Sequence, residues 1–191
     1  EPSSIRAGGH HLVGFSANMR GDAEVAVAHA DLSVHLYRSA GDRVGLATAL
    51  FGSGNVALLM GDPERAAALA GEILTICDET GGRWSRAGAL SILAFVHWAR
   101  GSLDEARRYS EEAAAIYSEL GDIAGQVVMC PVGAIALEQG ELRVAESYAN
   151  QAVVVAIGTA WEGAALVLVA QVLLARGEED ARAGKEMVGA Q

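Results

Sequence analysis

Few side chains in this chain could do chemistry, and their spacing limits them further. His10 and His11 stand together in "GHHLVG". Neighbouring residues on a helix point about 100° apart, so these two imidazoles cannot share one metal ion. His29 and His35 are six residues apart, a poor match to one helical face, and no carboxylate completes a metal set. Cys77 and Cys130 are far apart and fit no metal spacing; such cysteine usage suggests a reducing compartment. The chain has no phosphate loop of the G-x-x-x-x-G-K type and no G-x-S-x-G nucleophile motif. "GFSANMRG" and "FGSGN" hold Gly and Ser inside helical periodicity, where the glycines suit helix crossing better than phosphate cradling. The paired acids Glu111-Glu112 and Glu178-Glu179 read as solvated outer faces. The expectation is a protein that is not an enzyme and uses no cofactor or metal.

The bulk numbers narrow the class. Of 191 residues 51% are hydrophobic, mostly Ala, Val and Leu, and only three are proline. That composition favours packed helices over sheet. The formal charge of -10, from 24 acids against 14 bases, argues against direct contact with nucleic acid, where Lys and Arg supply the affinity. The longest apolar runs, such as "GAALVLVAQVLLA" from Gly163, fall short of the roughly 20 residues that span a bilayer. No signal peptide is visible, so the expected location is cytoplasmic. The chain begins at Glu1 rather than Met, and is expected to be a piece of a longer protein.

What organises the sequence is a repeat. Glycines stand at Gly21, Gly61, Gly101 and Gly140. Seven residues before each is a small residue (Gly14, Gly54, Ala94, Gly133), and five after each is an alanine (Ala26, Ala66, Ala106, Ala145). Twelve after come Ser33, Ile73, Ala113 and Ala152. A second set of turns falls at Gly41-Asp42, Gly81-Gly82 and Gly121-Asp122, and a weaker fifth copy ends at Gly177. Each period therefore holds two helices and two turns. Asp22, Asp42, Asp62, Ser102 and Asp122 follow the turn glycines as N-caps, Ser102 with Glu105 forms a capping box, and Pro63 sits just after its cap. The small residues at matched places let neighbouring helices approach closely.

The small residue before the turn, the turn glycine and the alanine on the second helix resemble the tetratricopeptide repeat. The period of about 40 is longer than the usual 34. "LGD" at Leu120 and "AGDRVGLATAL" at Ala40 are similar to the long-helix subclass found in MalT-like LuxR and AfsR-type bacterial transcriptional regulators. The family's first-helix Trp is replaced here by His10, Leu50, Leu90 and Met129. The resemblance implies an all-α, right-handed superhelical solenoid of about five helix-turn-helix repeats, approximately 2–40, 41–80, 81–120, 121–158 and 159–190, forming a single domain. It also implies that first helices line the concave side and that such a domain receives a small-molecule, peptide or protein signal. A constitutive protein-interaction scaffold and an accessory helical domain of an enzyme are the rival readings.

Charge and aromatics bear on where a ligand would sit. Most acids, including Asp31, Glu64, Glu72, Glu105 and Glu146, lie in turns or on second helices. Greater burial of the first helices explains this as well as a ligand does. Phe15, Phe51 and Phe95 all fall on first helices, with Trp98 close to Phe95. His11, Asn18, Asn55, Ser91 and Gln171 offer polar groups on similar faces. These nine residues are the candidate groove for a peptide or small organic ligand, the competing reading being that the phenylalanines fill the seams between repeats. Pro131 interrupts the fourth first helix, which must kink near Cys130, freeing the Val127 carbonyl, or begin late. The apolar stretch from Gly163 to Ala175 leaves a terminal repeat face that could pair with a second copy.

Overall fold

The structure, a computed structural model, describes residues 3–122, 129–156 and 162–189, with backbone alone at 129–131, 155–156, 162–164 and 183–189. The described residues form helices α1 (Ser3–Met19), α2 (Ala23–Ala40), α3 (Arg43–Leu59), α4 (Pro63–Thr80), α5 (Arg83–Ala99), α6 (Leu103–Glu119), α7 (Met129–Glu138), α8 (Leu142–Ala156) and α9 (Glu162–Gly189), with no strand among them. The chain divides into two compact units, Glu1–Ile116 and Tyr117–Gln191.

The turns fall where the glycines stand. Gly21, Gly41, Gly61, Gly81, Gly101, Gly121 and Gly140 all have φ between 67° and 76°, the left-handed region in which a side chain is strained. Asp42 accepts from the Gly45 amide at 2.8 Å and Asp62 from the Arg65 amide at 2.9 Å, each satisfying a free helix N–H. Asp22 occupies the same cap position without such a bond. One expected turn is not made: α9 runs unbroken through Gly177, whose φ is not left-handed, so the fifth copy contributes one long helix. "EEDARAGKE" after it is rich in strong helix formers, which favours continuation; the residue after the glycine does not decide this, since Gly140 turns although Glu141 follows it. Pro131 is the third residue of α7 as described; Val127 and the approach to this helix lie outside the described residues.

In the first unit, successive helices pair antiparallel. The Ser33 hydroxyl donates to the Ala7 carbonyl at 2.9 Å, while Gly14 lies against Ala26 and Ala30, so rising numbers on α1 meet falling numbers on α2. First helices then lie side by side and parallel: His11 of α1 meets Gly52 of α3, and Phe51 of α3 meets Gly88 of α5. The repeat alanines Ala26, Ala66 and Ala106 are fully buried, as is Ala145 in the second unit. Leu50, Ile73, Ile76, Ile92 and Val96 form the centre of the first core, each contributing roughly 1.5–3 kcal/mol by leaving water. The second unit repeats the scheme with α7, α8 and α9: Ala136, Ala145, Ala149, Leu168 and Val172 pack together.

The small residue seven before the turn now has a measured role. A Cβ on Gly54 would stand 2.4 Å from Ile92 Cδ1, and one on Gly133 would stand 2.6 Å from Leu168 Cδ2. Ile92 and Leu168 are register equivalents, each nine residues before Gly101 or Gly177. Each inserts into the space left by the preceding repeat's glycine. Gly54→Val should therefore cost about 1–3 kcal/mol by overpacking, and Ile92→Ala about 2–5 kcal/mol by emptying the site. The double variant should lose less than the sum of the two, measured by urea unfolding; strict additivity would show that the two positions do not share this space.

Candidate functional site

The candidate residues occupy equivalent places. His11, Phe51 and Ser91 stand ten residues before a repeat glycine; Phe15, Asn55, Phe95 and Gln171 stand six before; Asn18 and Trp98 stand three before. Steps of four and three residues keep one face of a helix. The first unit brings eight of the nine onto α1, α3 and α5. Gln171 belongs to the second unit, exposed on α9.

The packing then divides them. Phe51 is half-buried, in contact with the first core. Its ring lies over Gly88, where a Cβ would come within 2.7 Å, and meets Trp84 edge-on at 5.4 Å. It thus occupies the seam between α3 and α5. His11 does the equivalent between α1 and α3, its Cε1 3.2 Å from where a Gly52 Cβ would stand, and it stacks on Phe15 at 6.5 Å. Phe15 and Phe95 keep 41% and 37% of their surface exposed, enough to meet a ligand. Trp98 is half-buried beside Phe95 at 6.1 Å. Ser91 donates to the Ala87 carbonyl and Asn55 to the Phe51 carbonyl, so both polar groups are turned back onto their own helices. Asn18 differs: its Oδ1 is buried with no hydrogen-bond partner.

Two features escaped the sequence reading. Trp84, 38% exposed, stands seven residues before Ser91 and so continues the same stripe by two turns. Extending the register toward the helix N-terminus would have found it. The second is His10, which meets His29 across the α1–α2 hairpin. Antiparallel pairing of residues whose numbers sum to about 40 was the available signal, since Ala7 meets Ser33 and Gly14 meets Ala26.

The electrostatics set this face apart. α1, α3 and α5 contain no Asp or Glu, in a chain with 24 acids. The carboxylates of the second helices are held in exposed ion pairs: Asp31 with Arg65 at 3.0 Å, Glu72 with Arg38 at 2.6 Å, Glu64 with Arg100 at 3.2 Å. Each contributes little to stability, but together they keep negative charge on the other side of the layer. Burial raises the pKa of the Cys77 thiol, with nearby Arg86 opposing and Asp78 adding, which disfavours its thiolate. Burial, aided by Asp42, likewise raises the Tyr37 hydroxyl. Among the described residues no group of three or more His, Cys, Asp and Glu converges to hold a metal ion, and no helix is long and apolar enough to cross a membrane.

No protein-family model matches the chain, and no curated protein matches it in sequence. Solved structures do match its fold. A single-substitution form of the nearly identical TPR-like repeats from a Podosopora anserina protein assigned as a kinesin light chain is 18% identical, over the whole of this chain and 95% of that one, with a TM-score of 0.65. BtubC (BKLC) from P. vanneervenii is 15% identical, over 92% of this chain and 83% of that one, with a TM-score of 0.65. The apo form of RapI is 13% identical, over 88% of this chain and 47% of that one, with a TM-score of 0.67. The fold is a tetratricopeptide-like solenoid of helical repeats.

Burial of His11 lowers its pKa from the ordinary value of 6.5, because the charged imidazolium loses hydration. The unfolded chain then binds a proton more readily than the folded one. Its contribution to stability is complete above pH 6.5 and declines as the pH falls toward the lower folded value. His11→Gln should flatten the fall in Tm between about pH 7 and pH 5, as followed by circular dichroism. An unchanged pH profile would assign that fall to other groups.

Proposed function

We propose that this chain is a non-catalytic binding module that takes a peptide, protein segment or small organic effector on the face of its first helices. The observation that carries the reading is the stripe of Phe15, Trp84, Phe95 and Trp98 on helices without a single carboxylate, backed by second helices that carry the acids. Aromatic rings that are partly exposed on a rigid layer offer large contact area at little entropic cost. A ligand with apolar groups fits this chemistry. RapI and the kinesin-light-chain repeats lend the fold, and the function of this chain rests on its own residues.

The resemblance in the turn phrases supports a finer reading: the signal-receiving domain of a bacterial transcriptional regulator, working in the cytoplasm, with the DNA-binding part elsewhere in a longer protein. Each repeat contacts only its neighbours, so a ligand that tightens one seam changes the relation of the next, and small adjustments add along an array. Phe51 and His11, which lie in the seams beside the stripe, are the side chains that would transmit such a change. Exposed apolar residues on α9, Leu166, Val167, Leu173 and Leu174, make homodimerisation a further property of this reading.

Native mass spectrometry of the purified protein tests the proposal. A co-purifying mass that is lost on denaturation, and lost from Phe95→Ala and Trp98→Ala, is the expected result. Phe51→Ala should instead destabilise by about 3–5 kcal/mol, because its ring fills a seam. Equal stability losses at Phe51 and Phe95, with no bound mass in any form, would favour a scaffold without a ligand on this face.

A further inference from the structure

His10 and His29 are nineteen residues apart in sequence, on opposite arms of the α1–α2 hairpin, yet their Nδ1 atoms are 3.0 Å apart. The ring centroids are separated by 5.0 Å and the ring planes are tilted by 45°. Both residues are half-buried, so solvent reaches the pair. We infer that His10 and His29 form a two-imidazole site for a divalent late transition-metal ion, bound through the two Nδ1 atoms.

The geometry carries the argument. Metal–imidazole bonds are about 2.0 Å long, so two nitrogens 3.0 Å apart subtend an angle of about 95° at a shared ion. That is close to a cis angle of square or octahedral coordination, so the pair needs little movement to pass from its hydrogen bond to a shared ion. Imidazole pairs with cis geometry suit Ni(II) and Cu(II), with water completing the coordination. The hairpin sets the pair in place independently of the rings: Ala7 and Ser33 are bonded on one side, and Gly14 packs on Ala26, Ala30 and His29 Cβ on the other. The absent side chain at Gly14 lets α2 come close enough for the rings to meet. Without metal, one ring donates its Nδ1–H to the other. With metal, both rings take the tautomer protonated at Nε2 and turn their Nδ1 lone pairs to the ion, releasing to water any proton bound in excess of that. His11 points to the α3 seam instead, and His35 is exposed further along α2, so neither joins the pair.

The test is calorimetric titration of tag-free protein with Ni(II) chloride at about pH 7.5, on the wild type and on His10→Ala, His29→Ala, His11→Ala and His35→Ala. Circular dichroism first establishes that each variant is folded. The inference expects one saturable site in the wild type, lost in His10→Ala and in His29→Ala and kept in the other two. His10→Asn and His29→Asn provide the same test should either alanine variant fail to fold. Absence of saturable Ni(II) binding in the wild type overturns the inference, as does a site that survives loss of either His10 or His29. A site that disappears only with His11 or His35 also overturns it.

Discussion

The arrangement depends on places where a side chain is missing. Gly54 and Gly133 leave room for Ile92 and Leu168 of the following first helix, and Gly14 allows α2 to touch the backbone of α1. Helices with alanine or larger residues at all these points would stand further apart, and the seams would lose the contacts that fill them. Dispersion falls off steeply with separation, so a small displacement along a whole helix weakens many contacts at once. The left-handed turn glycines matter for a related reason. They fold each helix back within two or three residues, which fixes the register in which the small positions meet their partners.

Size is exchanged between positions rather than conserved at any one. Four residues before the second-helix turns stand Tyr37, Cys77 and Tyr117, and four residues after the same turns stand Gly45, Ser85 and Gly125. Where the structure describes both partners, the complementarity is direct: a Cβ on Gly45 would lie 2.2 Å from Tyr37 Cε1, so the ring occupies the glycine's missing side chain. The same logic governs the first-helix seams, where Phe51 faces Gly88 and His11 faces Gly52. A bulky residue in one repeat therefore predicts a small one in the next.

This exchange explains what could be read from the sequence. The turns, the helix pairs and the buried alanines follow from fixed spacings, and a spacing survives without any alignment. Gly177 misled because it has the spacing but is followed by a run of strong helix formers. Candidate site residues were legible as a stripe, since positions ten, six and three before the turn share one face. Their division into seam and surface was not legible. Phe51 and Phe95 are the same residue type on equivalent helices, and only the identity of the neighbour, Gly88 in one case, decides which ring is swallowed. The His10–His29 contact lay hidden for a different reason. It joins two helices, and a reading of each helix alone could only compare His10 with His11 and His29 with His35.

The separation of charge from aromatic surface is a consequence of the same packing. α3 lies between α1 and α5 and packs on second helices as well, so a carboxylate buried there would lose hydration without gaining a fixed partner. Second helices have an open side, and their acids find arginines about one repeat away, as Asp31 finds Arg65 and Glu72 finds Arg38. Burial alone would accordingly clear acids from the first helices. It would not place Phe15, Trp84 and Phe95 where more than a third of each residue remains in contact with water. Each ring has one aromatic neighbour, Trp84 against Phe51, Phe15 against His11 and Phe95 against Trp98, yet keeps apolar surface in water that burial would have made stabilising. That residual exposure, rather than the absence of charge, is the part of the pattern on which the proposed binding role rests.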